Sequence, residues 1–129
     1  MKNKRVTLVR NKEYVFLKQV LSRKNDHIEA LEILGDLYTR SGYIESGYAV
    51  DKHLVHFQPF NPVHYYNLAC DCALLGRKDE AIIYLKIAVI LGFDDLNHIR
   101  KDPDLASLRG NQKYEKFIRE ISSGRVKYK

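Results

Sequence analysis

Apolar residues recur at three- and four-residue steps along much of the chain, and short polar segments separate these stretches. The clearest pair covers residues 65–75 and 81–91. This spacing is the 3.6-residue period of amphipathic helices. Gly76 supplies a turn glycine between them, and Asp79 and Glu80 place negative charge where the second helix begins, which the helix dipole favours. The pattern predicts a helical hairpin that must pack against neighbouring helices to bury its apolar faces.

The same periodicity predicts further helices on both sides of this hairpin. They are expected over residues 12–23, 27–40, 44–57, 94–100 and 113–121, with the stretch 102–109 lying between the last two. The expected inward residues are Tyr14, Leu17, Val20 and Leu21, then Ala30, Leu31, Leu34, Leu37 and Tyr38, then Ile44, Tyr48, Leu54, Val55 and Phe57, and finally Tyr114, Phe117, Ile118 and Ile121. Asp26 is expected to cap the second helix, and Pro59 and Pro62 to end the third. The chain is therefore predicted to be all-α.

Length and composition fit one globular domain. The chain has 129 residues, of which 45% are apolar and 29% charged, close to globular averages. No apolar run approaches the ~18 residues of a membrane span. The basic amino-terminal stretch is not followed by the apolar block of a signal peptide. We therefore expect a cytoplasmic protein.

The two cysteines, Cys70 and Cys72, lie two residues apart on one predicted helix. Their side chains would point about 200° apart around the helix axis, so they cannot form a disulfide with each other. Their spacing is one residue short of the C-x-x-C pair of redox and zinc sites. No metal site or thiol chemistry is predicted from them.

Catalytic constellations are also not evident in the sequence. His53 and His56 are three residues apart on a helix, but no third metal ligand accompanies them. His64 and Cys70 are six residues apart on one predicted helix, which is too far for a nucleophile and its base. No glycine-rich phosphate loop or carboxylate pair can be placed. We expect no enzyme activity and no cofactor.

The chain resembles itself when it is shifted by 34 residues. The shift aligns Leu31 with Tyr65, Leu34 with Leu68, Gly35 with Ala69, Tyr38 with Cys72, Gly42 with Gly76, Gly47 with Ala81, and Leu54 with Ala88. A 34-residue helix–turn–helix period resembles the tetratricopeptide repeat. The resemblance covers residues 28–94 and is strongest in the second copy. It departs from the family pattern at Asp51, where a large apolar residue is usual, and at Phe93, where proline is usual.

This resemblance implies an α–α superhelix, in which helical hairpins stack in order. The implied repeats are residues 28–61 and 62–94, preceded by a partial repeat over 12–27. The stretch from Asp102 to Phe117 is similar to the closing block of bacterial tetratricopeptide proteins, so residues 95–121 are expected to cap the stack. A basic segment, 1–11, and a basic tail, 122–129, would flank a single domain over 12–121.

The resemblance also implies protein–protein interaction, with the first helix of each hairpin lining a concave groove. The expected groove residues are Glu29, Glu32, Asp36, Thr39 and Arg40 in the first copy and Val63, Tyr66, Cys70, Ala73 and Leu74 in the second. An acidic strip would lie beside an apolar one. The family's best-known binding mode, in which Lys, Arg and Asn side chains hold the carboxylate at the end of a peptide, is not supported here. Glu32 and Asp36 occupy positions where that mode needs a cation and an amide. A basic amphipathic helix, or an extended segment with Lys or Arg beside apolar anchors, is the expected partner.

Several alternatives remain open. One alternative is that the acids form only a solvated face. Another is that the helix at 113–121, or the amino end, fills the groove. The net charge of +6 is uneven, with eight basic residues against one acid in residues 1–24 and four against one in 119–129. These ends could bind nucleic acid through Lys2, Lys4, Arg5, Arg10, Lys12, Arg125, Lys127 and Lys129. A regulatory subunit of an enzyme complex and a homodimer are further possibilities.

Overall fold

The computed structural model of the chain describes residues 6–124, and every regular element within this range is helical. The elements are α1 (Lys12–Arg23), α2 (Ile28–Arg40), α3 (Ile44–Phe57), α4 (Pro62–Leu74), α5 (Lys78–Ile90), α6 (Leu96–Lys101), a 3₁₀ helix (Pro103–Leu108) and α7 (Gln112–Ser122). The all-α prediction is confirmed for this part of the chain. None of its helices has the length and apolar character needed to cross a bilayer.

The chain divides into two compact units between Pro59 and Phe60. The first unit contains α1 to α3, and the second contains α4 to α7. The division falls within two residues of the boundary expected between the two repeats. The expectation of one continuous domain over residues 12–121 stays a prediction.

Unit 1 is built on the apolar faces of three consecutive helices. Its buried core comprises Leu8, Leu17, Ala30, Leu31, Leu34, Leu37, Val50 and Leu54, with Tyr14, Val20 and Leu21 partly buried against it. The inward faces predicted for α1 and α2 are therefore confirmed. Leu8 belongs to this core although it precedes α1, and the Val6 amide donates to the Ser41 carbonyl at 2.9 Å. The described end of the basic segment is thus part of the folded unit.

Small residues bring α2 and α3 close together. A Cβ atom on Gly47 of α3 would lie 2.6 Å from Oγ1 of Thr39 on α2. A Cβ atom on Gly35 would lie 3.2 Å from Oδ1 of Asp51. Glycine at both positions lets the two backbones approach. Asp51, the residue unusual for the family pattern, is buried at 5% exposure in this contact.

Two local expectations in unit 1 are wrong. The residue that caps α2 is His27, whose Nδ1 accepts from the Ala30 amide at 3.1 Å, while Asp26 forms a surface ion pair with Lys24. Phe57 was expected inside but is 38% exposed at the end of α3, where its ring contacts the rings of His53 and His56.

Unit 2 consists of the α4–α5 hairpin and the elements that follow it. The 3₁₀ helix packs along α4, and α7 packs against α5. The main buried residues are Leu68, Ala69, Cys72, Ala81, Ile82, Leu85, Ala88, Val89, Ile99, Leu105, Leu108, Tyr114, Phe117, Ile118 and Ile121. The face predicted for α7 is buried. The role of residues 95–121 as a cap on the hairpin stays a prediction.

The 34-residue period extends through a third copy that the sequence did not reveal. Helices α2, α4 and α6 begin at residues 28, 62 and 96, and α3, α5 and α7 begin at 44, 78 and 112. The glycines before each second helix, Gly42, Gly76 and Gly110, have φ of 87°, 78° and 86°. In the third copy Pro103 breaks the first helix into α6 and the 3₁₀ helix, because proline lacks an amide donor and clashes with the preceding turn. That break hides the repeat in the sequence pattern.

Candidate functional site

The acidic residues predicted to line the first half of a groove lie on the surface of unit 1. Glu29, Glu32 and Asp36 are exposed along α2. Arg40, one turn after Asp36, donates from Nε to Oδ2 of Asp36 at 2.7 Å and lies 3.7 Å from Oε1 of Glu13. The hydrogen bond that Arg40 donates to Asp36 raises the pKa of Arg40. The charge of Asp36 is thus matched locally by Arg40.

Thr39 points into the hairpin of unit 1 rather than along this strip. Its hydroxyl donates to the Gly35 carbonyl at 3.1 Å and faces Gly47 of α3. The side chain is half-buried. Its position is explained by helix packing, so it adds little to an exposed binding surface.

Three of the residues predicted for the second half of the groove are not open to solvent. Tyr66, Cys70 and Ala73 are 5%, 6% and 3% exposed. The 3₁₀ helix packs over this face of α4, and the hydroxyl of Ser107 donates to the Ala73 carbonyl at 3.0 Å. The expectation of an open groove along α4 is therefore corrected, because the chain's own closing segment covers it. The sequence had offered α7 or the amino end as the covering segment.

The remaining two groove residues of α4 are at its ends. Val63, in the first turn, is 49% exposed, whereas Leu74, in the last turn, is half-buried. Of the apolar strip predicted on α4, only Val63 offers substantial surface. Their role in partner binding stays a prediction.

A hydrogen-bonded cluster fixes the closing segment to α4. Asp102, at the start of the 3₁₀ helix, accepts at Oδ2 from the Tyr66 hydroxyl at 2.5 Å and lies 3.8 Å from the Cys70 sulfur. Its other oxygen, Oδ1, caps the 3₁₀ helix by accepting from the Asp104 amide at 2.9 Å. His98 Nε2 is 3.4 Å from Oδ2. We call Tyr66, Cys70, His98 and Asp102 the Asp102 cluster.

Burial shapes the electrostatics of this cluster. Desolvation, followed by the nearby Asp102 carboxylate, raises the pKa of the Cys70 thiol. Desolvation also raises the pKa of the Tyr66 hydroxyl, with further contributions from Cys70 and from the bond to Asp102. Burial and the charge of Asp102 raise the pKa of Asp104. Both Tyr66 and Cys70 are therefore protonated donors at neutral pH.

The same residues have the donor types of a metal site. Potential ligand atoms of Cys70, Asp102 and Asp104 lie within 4.8 Å of one another. Both oxygens of Asp102 are already engaged, one by Tyr66 and one as a helix cap. A raised pKa also disfavours the thiolate that a metal requires. The hydrogen bonds give Asp102 and Tyr66 a structural role, and we assign no metal chemistry to them.

Next to this cluster, unit 2 has an open cleft of about 420 Å³. It is lined by Pro62, Val63, Gly92, Phe93, Asp94, Asp95 and His98. Phe93 stacks on Tyr66 with ring centroids 4.1 Å apart and planes 3° from parallel. The cleft thus combines Phe93, whose ring stacks on buried Tyr66, with exposed Val63. The carboxylates of Asp94 and Asp95 are also exposed in it.

Sequence reasoning identified only Val63 among the cleft residues. A signal was present, because Phe93 departs from the proline usual in the family pattern and two aspartates follow it directly. The sequence did not show that residues at the start of α4 and at the start of α6 line the same cleft. Their positions differ by one 34-residue period, and the third copy was hidden by Pro103.

Among residues 6–124, the other candidate chemical groups do not assemble into a site. His53 and His56 are exposed near Phe57, while His64 is buried at 1% exposure. Cys70 and Cys72 are both free and buried, which agrees with the expected lack of a disulfide between them. Arg10 and Lys12 are exposed, and Lys2, Lys4, Arg5, Arg125, Lys127 and Lys129 lie outside the described residues. Nucleic-acid binding stays a prediction.

Comparisons with family models, curated proteins and solved structures find no match for this chain. The resemblance to the tetratricopeptide repeat therefore stays a prediction. What is established is the helical architecture, its period and the two surfaces described above.

Proposed function

We propose that this protein is a non-catalytic protein-interaction module that binds a basic peptide or helix. The observation that carries the proposal is the threefold 34-residue spacing of helix starts, with a glycine of positive φ before each second helix. Hairpins that repeat at this interval are typical of tetratricopeptide-like arrays, which serve as scaffolds for polypeptide partners.

The charge on α2 supports the choice of partner. Glu29 and Glu32 are exposed on one helix, and Ile33 beside them is 38% exposed. Acidic side chains next to an apolar one favour a segment that carries Lys or Arg beside an apolar anchor. The role is that of an adaptor or assembly factor, which needs recognition surfaces but no reacting groups.

The experiment is a selection from a displayed library of random peptides, followed by fluorescence anisotropy with the enriched sequences. We expect enrichment of peptides with Lys or Arg near Leu, Ile or Phe. The double variant Glu29→Lys with Glu32→Lys should weaken their binding by about tenfold or more, because two attractive charge contacts become repulsive. Asp36 is left unchanged, since Arg40 already engages its carboxylate.

The matched control reverses two acids on other elements, Asp79→Lys on α5 with Glu120→Lys on α7. It changes the net charge equally and should bind the peptides like the unmodified protein. Circular dichroism of both variants checks that the helices persist. Equal binding by the α2 variant and the control, or a selection without basic sequences, would contradict the proposal.

A further inference from the structure

We infer that the cleft of unit 2 is a binding pocket for an arginine side chain of an extended peptide. The pocket is formed by Pro62, Val63, Gly92, Phe93, Asp94, Asp95 and His98. This inference rests on the proposed function as a peptide-binding module, but it uses residues separate from the acidic strip on α2.

The aromatic wall of the cleft is rigid. Phe93 stacks on Tyr66, and Tyr66 is held by its 2.5 Å hydrogen bond to Asp102 and by nearly complete burial. A flat aromatic ring fixed in this way can receive a guanidinium group by stacking, without losing much conformational freedom. The Asp102 cluster therefore acts as the support of the pocket.

Two carboxylates supply negative charge at the same cleft. The Asp94 side chain forms no ion pair or hydrogen bond within residues 6–124, and it is exposed. Asp95 accepts from the His98 amide at 3.0 Å through Oδ1, which fixes the direction of its carboxyl group. The described residues therefore provide no internal cation for either carboxylate, and a ligand cation would satisfy both.

The apolar rim indicates that the ligand is a peptide rather than a small cation. Val63 lines the cleft and is 49% exposed. An exposed branched side chain that lines a pocket is typical of binding surfaces. Val63 would contact an apolar residue next to the arginine.

Arginine fits this cleft better than lysine does. Its planar guanidinium can stack on Phe93 while its edge donates to Asp94 and Asp95. The ammonium of lysine would contact the carboxylates without the stacking contact. The pocket should thus discriminate between the two cations.

The test uses the full chain and a capped nine-residue peptide with one central arginine flanked by leucines. Isothermal titration calorimetry compares it with peptides in which citrulline or lysine replaces the arginine. Citrulline has nearly the same shape without the charge, so we expect its affinity to fall by about tenfold or more. Chemical-shift changes at the Val63 and Gly92 amides should locate the bound peptide at the cleft.

The double variant Asp94→Asn with Asp95→Asn removes the charge and keeps a side chain that can cap α6. It should lose the preference for arginine over citrulline, while the Glu29→Lys, Glu32→Lys variant should retain it. Retained preference in the asparagine variant, equal affinity for arginine and citrulline, or no binding of the arginine peptide would each overturn the pocket. The proposed function would still stand in those cases if the library selection on α2 succeeds.

Discussion

The hydroxyl of Tyr66 donates a 2.5 Å hydrogen bond to Oδ2 of Asp102, which lies 36 residues later in the chain. This contact joins the middle of α4 to the point where Pro103 interrupts the third helical hairpin. Tyr66 is buried at 5% exposure, and its ring stacks on that of Phe93. One hydrogen bond thus links the packing of unit 2 to the shape of its cleft.

We predict that Tyr66→Phe lowers the free energy of unfolding by about 1–3 kcal/mol, because it removes a hydrogen bond to a largely buried carboxylate. Tyr114→Phe is the matched control. Tyr114 is similarly buried, at 2% exposure against 5% for Tyr66, and its hydroxyl forms no hydrogen bond within the described range, so its loss should cost less. Urea denaturation measures both, and equal effects would show that the Asp102 contact contributes little.

A second prediction concerns the approach of α2 and α3. Gly47→Ala should destabilise the protein, because the new methyl group would lie 2.6 Å from Oγ1 of Thr39. The clash must outweigh the gain of about 0.5–1 kcal/mol that alanine gives in a helix.

The background variant Thr39→Ala isolates this clash. Without the Thr39 hydroxyl, Gly47→Ala should become neutral or stabilising by about 0.5–1 kcal/mol, since only helix propensity remains. Thermal unfolding of the four proteins in this cycle measures the change. If Gly47→Ala has the same effect in both backgrounds, the close contact is not the reason for glycine at this position.

Alkaline pH provides a third prediction. Burial, followed by the hydrogen bond with Tyr14, raises the pKa of Tyr38 to about 12, and burial also raises the pKa of Tyr66. Below about pH 10, the pKa of an unfolded tyrosine, both states are protonated and stability is unaffected. Above it the unfolded chain releases protons that the folded chain keeps, so the free energy of unfolding falls as pH rises.

Urea denaturation at several pH values between 9 and 12 measures this slope. The double variant Tyr38→Phe with Tyr66→Phe should show a shallower decline, because its two sites no longer titrate. The decline should begin near the ordinary tyrosine pKa of about 10. A slope unchanged by the double variant would show that other groups cause the alkaline loss of stability.

The sequence by itself determined the helices of this protein and most of their inward faces. Apolar spacing placed α1 and α3 at their observed bounds, and all four residues predicted on the inner face of α7 are buried. Such local patterns are readable because a helix places residues three and four apart on one side. The helix caps were predicted less well. His27, and not Asp26, caps α2, because its ring nitrogen Nδ1 accepts from the Ala30 amide.

Only the tertiary structure decided which helical faces remain exposed. The sequence treated Tyr66, Cys70 and Ala73 as surface, but the 3₁₀ helix covers them through contacts more than thirty residues away. The cleft likewise exists because Val63 and Asp95, which are far apart in sequence, line the same space. No local periodicity specifies that arrangement. Helical period fixes the side of a helix on which a residue lies, whereas burial depends on which distant segment packs against that side.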